Sequence, residues 1–133
     1  MDEQLRRAIT GSLREGKLGC SEAHAIATQM GLEPLAVGQA ADALDIRIFR
    51  CQLGLFGYGP KSEGKHKIVH PMDDVPERLA ARLRAAAGAE GITCLDIWQI
   101  ADELGYLYLE ASSAVEAMGL RVSRCQLGCF PRA

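Results

Sequence analysis

Along residues 3–15, Leu5, Ala8, Ile9, Ser12 and Leu13 recur at helical spacing, with Arg6, Arg7 and Arg14 on the other side, which predicts an amphipathic helix closed near Gly16. Lys17-Leu18-Gly19 is too short for a helix and reads as a brief extended bridge. A second helix is expected after Gly19, with Ala23, Ile26, Ala27 and Met30 as its buried stripe. Gly31 ends it, and Glu33-Pro34 opens a third whose inner positions are Val37, Ala40, Ala41 and Leu44. Ile46-Arg47-Ile48 then alternates apolar and charged residues, as a half-buried strand does.

The same pattern returns 74 residues later. Arg47-x-x-Arg50-Cys51-Gln52-Leu53-Gly54-x-Phe56 reappears as Arg121-x-x-Arg124-Cys125-Gln126-Leu127-Gly128-x-Phe130, and residues 5–56 match 79–130 at 15 of 52 positions without a gap. In the second copy the stripe becomes Ile97, Ile100, Ala101 and Leu104, then Ala111, Ala114, Val115 and Met118, and Thr93 with Asp96 forms the pattern of a capping box. Only the first copy is followed by a further turn, Gly59–Gly64, and an apolar-polar stretch, His66-Lys67-Ile68-Val69. These would be the loop and returning strand of a hairpin.

Ile26-Ala27-x-x-Met30-Gly31-Leu32 with Val37 and Ala40, and Ile100-Ala101-x-x-Leu104-Gly105-Tyr106 with Ala111 and Ala114, resemble the helix-turn-helix. In that motif alanine permits a close helix crossing and glycine turns the chain. Helix, bridge, helix, turn, helix and strand is the order of its winged-helix variant. The resemblance implies a mainly α fold with short β: two winged-helix-like three-helix units in tandem, residues 1–72 with a wing and residues 73–133 with a truncated one. Pro71–Pro76 marks the boundary, with Asp73-Asp74 as a cap for the next helix.

Composition narrows the function. The net charge of −2 divides as −1 for residues 1–74 and −1 for 75–133, so a face that attracts nucleic acid has to be local. Winged helices usually lay the third helix in the major groove. Here the outward positions expected on that helix, Glu33, Leu35, Gly38, Gln39 and Asp42 in one copy and Leu107, Tyr108, Ser112, Ser113 and Glu116 in the other, hold no lysine or arginine. Phosphate contacts are therefore expected from Arg47, Arg50, Arg121 and Arg124 on the strands and Lys61, Lys65 and Lys67 in the wing, with Gln39, Ser112 and Ser113 as polar contacts from the third helices. The competing expectation is a protein adaptor that uses the acidic and apolar third helices, Leu107, Tyr108 and Leu109 beside Glu110 above all.

Five cysteines with no export signal read as reduced thiols of a cytoplasmic protein. A metal or redox sensor is the third reading, but neither copy has a Cys-x-x-Cys knuckle, and His66 and His70 on one strand would stand about 13 Å apart. Buried packing is the expected role of Cys20, Cys51, Cys94 and Cys125, with Cys129 accessible. No Gly-x-Ser-x-Gly elbow or phosphate loop occurs, and His24, equivalent to Trp98, reads as a packing position. The expectation is thus a non-enzyme with no cofactor and no membrane span, whose partners are DNA or a protein. Its halves of roughly 60 residues are small enough to need mutual packing or homodimerisation.

Overall fold

The computed structural model describes residues 1–131. Among these, the chain runs twice through one order. The first round is α1 (Glu3–Thr10), β1 (Leu18–Gly19), α2 (Cys20–Met30), α3 (Pro34–Ala43) and β2 (Ile48–Phe49). The second is α4 (Glu77–Ala86), β3 (Ile92–Thr93), α5 (Cys94–Leu104), α6 (Tyr108–Ala117) and β4 (Val122–Arg124). The protein is mainly α with short β, and none of these helices is long and apolar enough to cross a membrane.

Local chemistry accounts for most element ends. Thr93 and Asp96 form the expected capping box of α5, the Asp96 amide donating to Thr93 Oγ1 (3.0 Å) and the Thr93 amide to Asp96 Oδ2 (3.4 Å). Gly31 and Gly105 take left-handed φ values of 65° and 81°, which turns each second helix into the third. α1 is shorter than its periodicity predicts, because the backbone leaves the helix at Gly11 and closes a turn in which Arg14 and Lys17 exchange both hydrogen bonds. Gly88 and Gly91 do the same in the second half. Pro76, with no side-chain cap, precedes α4, so Asp73-Asp74 does not cap it as expected.

Each half carries one pair of parallel strands, β1 with β2 (Leu18 opposite Ile48) and β3 with β4 (Ile92 opposite Val122). The two helices between them supply the crossover that a parallel pair needs. Ile26 and Ile100 are buried under these crossings, as the alanine pattern predicts.

The expected wing is a loop that turns back on itself without forming strands. β2 stops at Phe49, Arg50 turns left-handed (φ 53°), residues 51–60 are turns and bends, and Lys61–Glu63 is a single 3-10 turn. His66–Val69 is not a strand. The amides of Ile68 and Val69 both donate to the carbonyl of Gly54 (2.9 and 3.2 Å), which spends them on a turn rather than on a ladder. Left-handed Gly54 and Gly57 bend the outgoing chain, so it meets the returning one only near the tip of the loop, where the Tyr58 amide donates to the His66 carbonyl (3.3 Å) and the Gly59 amide to the Lys65 carbonyl (2.9 Å).

The duplicated motif has a different use. In each copy it closes a loop: the Cys51 amide donates to the Phe56 carbonyl (3.2 Å) and Gly54 to Cys51 (2.9 Å), while Cys125 donates to Phe130 (3.0 Å) and Gly128 to Cys125 (3.1 Å). The leucine at the tip enters the core of the other half. Leu53 is fully buried among Leu79, Leu83, Ile97 and Val115, and Leu127 is buried among Leu5, Ile9, Leu18 and Val37. Two apolar clusters result, each completed by the other half, as units near the lower size limit of a stable core require. Equivalent residues meet where the halves touch: the His24 and Trp98 rings lie 4.3 Å apart and the Phe56 and Phe130 rings 6.4 Å apart. The halves are related by a local pseudo-twofold.

Candidate nucleic-acid interface

The exchange covers the third helices. Ser112 is buried in α6 and its Oγ donates to the Leu53 carbonyl (2.7 Å). Its equivalent, Gly38 in α3, is buried against the Leu127 carbonyl so closely that a Cβ would overlap the oxygen. Both positions were expected to face outward. They do not, because each motif loop lays its backbone across the helix of the opposite half. Ser113 is half-buried, and its carbonyl accepts the Met72 amide (3.0 Å). Ser112 is thus removed as a nucleic-acid contact, and Ser113 is partly screened. The apolar surface expected on α6 is consumed only at Tyr108, which stacks on Trp98 (4.1 Å) and donates to Asp102; Leu109 lies over Gly54 but remains exposed. Leu107 stays 70% exposed.

The cations fare differently. A cleft of about 1000 Å³ is lined by Arg47, Arg50, Lys61, Lys67 and Arg121, five of the ten predicted contacts. Lys17 makes a sixth. Two carboxylates, Glu15 and Glu116, share the wall. In a protein of net charge −2 this concentrates six of 15 Lys and Arg against two of 17 Asp and Glu. Glu116 pairs with Lys67 (2.6 Å) and ties the loop after the first motif to α6. Among the described residues the other five cations form no ion pair, so their charge is available to an anionic ligand.

The cleft straddles the pseudo-twofold, since the equivalents Arg47 and Arg121, Ile48 and Val122, and Phe56 and Phe130 all line it. Parallel pairing of β1 with β2 brings Lys17 beside Phe49, where Lys17 Nζ and the Arg50 guanidinium lie 5.7 and 5.4 Å from the ring centroid. Tyr58 is 38% exposed, and its hydroxyl donates to the Cys51 carbonyl, which fixes the ring on the wall. Lys17 had no signal in its own segment, but Phe56 and Phe130 did: they are the last residues of the repeated motif.

The remaining predicted contacts scatter. Arg124 lines a separate groove with Leu35, Leu95 and Gln126. Gln39 lies with Asp42 and Asp45 in an adjoining groove that shares Arg47 and Lys61 with the cleft. Lys65 is exposed and pairs with Glu63 (3.4 Å).

Among the described residues, no cluster of three or more His, Cys, Asp or Glu is arranged to hold a metal ion. All five cysteines are thiols. Burial pushes Cys20 and Cys94 up to about 12 and raises Cys51 as well, which fits inert packing. Cys125 packs against the first core as expected, though less deeply. It is only half-buried, and a hydrogen bond from the Cys129 thiol lowers it to about 6. No family model matches the chain, and none of the curated proteins or solved structures does.

Proposed function

We propose that this is a cytoplasmic, non-enzymatic DNA-binding protein of the transcription-regulating kind, a tandem helix-turn-helix chain that holds the phosphate backbone in its central cleft. The observation that carries this reading is the convergence of Arg47, Arg50, Lys61 and Arg121, with Lys17, on one concave surface of an acidic protein. Such a surface gives local attraction for a polyanion that the whole molecule lacks. Phosphate contacts of this type supply affinity and register rather than base readout. The adaptor reading has less support, because Tyr108 is stacked on Trp98 and the exposed apolar surface of α6 is reduced to Leu107 and Leu109.

Fluorescence anisotropy with labelled single-stranded and duplex DNA at low ionic strength tests the proposal. Binding should weaken steeply with salt, and Arg47→Ala with Arg121→Ala should lower the log–log salt slope by about 2. Undetectable binding to both kinds of DNA at low salt, or a slope that the double substitution leaves unchanged, would remove it.

A further inference from the structure

From the same cleft, and resting on the reading just given, we infer that the preferred ligand is an unpaired strand rather than a duplex. Two independent observations point this way. The first is subtractive. A helix-turn-helix reads duplex DNA by inserting its third helix into the major groove, where side chains reach the base edges. In this protein the middle of both third helices is occupied: Leu127 presses on Gly38, and Leu53 on Ser112. A helix covered along one flank by the opposite half cannot enter a groove without undoing the exchange that completes both cores.

The second observation concerns what the cleft offers beside charge. Phe56, Tyr58 and Phe130 line it together with Arg47, Lys61 and Arg121. Duplex DNA presents a wall of phosphates and keeps its base faces stacked inside, so aromatic rings on a binding surface gain nothing from it. An unpaired strand exposes both the backbone and the base faces. Proteins that hold single strands without sequence preference combine these two elements, cations along the backbone and aromatic platforms for successive bases. Tyr58 is the best-placed platform, exposed by 38% and anchored through its hydroxyl to the Cys51 carbonyl. Phe56 and Phe130, set edge to face 6.4 Å apart, line the same cleft as Arg47 and Arg121.

The decisive experiment compares labelled oligothymidylate, oligouridylate and a mixed-sequence duplex, each about 12 units long, on the full chain. The single strands should bind at least tenfold tighter than the duplex, and the tighter of the two identifies the sugar that the cleft prefers. Tyr58→Ala should weaken single-strand binding about tenfold, whereas Tyr58→Phe, which keeps the ring, should stay within about twofold of the native protein. Phe130→Leu provides a second variant should Tyr58→Ala not fold, and should weaken single-strand binding without altering the duplex. Equal or tighter binding of the duplex overturns the inference while leaving phosphate binding in the cleft intact. So does single-strand affinity that survives removal of the aromatic rings but not of Arg47 and Arg121. Failure of every probe to bind overturns both readings.

Discussion

Gly38 and Ser112 occupy equivalent places in the two halves and meet the same piece of backbone by different means. In the first half the absence of a side chain lets the Leu127 carbonyl rest against α3. In the second a hydroxyl reaches out and donates to the Leu53 carbonyl at 2.7 Å. Ser112 gives the Leu53 carbonyl the donor that a buried acceptor needs, whereas Gly38 gives the Leu127 carbonyl only room to approach. The cleft, by contrast, is lopsided. Arg47 and Arg121 are related by the pseudo-twofold, but Lys17 corresponds to Gly91, Arg50 to an Arg124 that faces another groove, and Lys61 and Lys67 belong to the loop that follows the first motif. The duplicated core is thus kept nearly symmetrical by packing, while the charged surface has been built mainly by one half.

The largest test of this comparison is the exchange itself. Leu53→Ala should cost about 2–5 kcal/mol, as truncation of a fully buried leucine does. Its effect should appear as faster amide exchange in α4, α5 and α6, far from the half in which the residue is encoded. Leu127→Ala should loosen α1, α2 and α3 instead. If each substitution weakened its own half only, the exchange would be refuted.

The two docking sites should then respond differently to alanine. Gly38→Ala drives a Cβ into backbone that can move only by withdrawing Leu127, at a cost of about 3 kcal/mol by overpacking. Ser112→Ala removes a donor from a buried carbonyl and should cost about 1–2 kcal/mol. Chemical denaturation of the two variants checks the order, and a reversal would mean that the helices are not docked equivalently.

The smallest effect sharpens the contact on the pseudo-twofold. Desolvation against Trp98 lowers the His24 pKa below its ordinary 6.5, so the folded protein holds the imidazole neutral where the unfolded chain would take up a proton. This contribution is unfavourable to folding only at low pH. Stability is therefore full above about 6.5 and declines as the pH falls below it. The melting temperature should drop between pH 7.5 and 5.5 by more in the native protein than in His24→Phe. An identical drop in both would assign the pH dependence to other groups.

Much of the fold was legible in the chain. Helical stripes, the Thr93–Asp96 cap, the glycines that end α2 and α5, and the bridge before each second helix are local matters. They follow from spacing and from the conformational preferences of single residues. The wing is legible only in part: Phe56–Tyr58 and His66–Val69 alternate as strands do and meet at Tyr58 and His66, but left-handed Gly54 and Gly57 keep the outgoing chain from extending into a ladder. Ser112 departs from its periodic expectation for a different reason. Helical periodicity identifies the face that packs within one unit, and a second buried face appears only when another unit covers it.

The sequence by itself determined that one helical unit is used twice, that its crossings are made by alanine, and that its cations lie outside the third helix. Those features depend on residues a few positions apart, which the order of the chain displays directly. Only the tertiary structure decided that Leu53 and Leu127 trade cores, that the third helices are covered, and that Lys17, Arg47, Arg50, Lys61, Lys67 and Arg121 face one cleft. Contacts between residues as far apart as Leu53 and Ser112 arise from how two small, incomplete cores bury their remaining apolar surface, and periodicity along one chain carries no record of that choice.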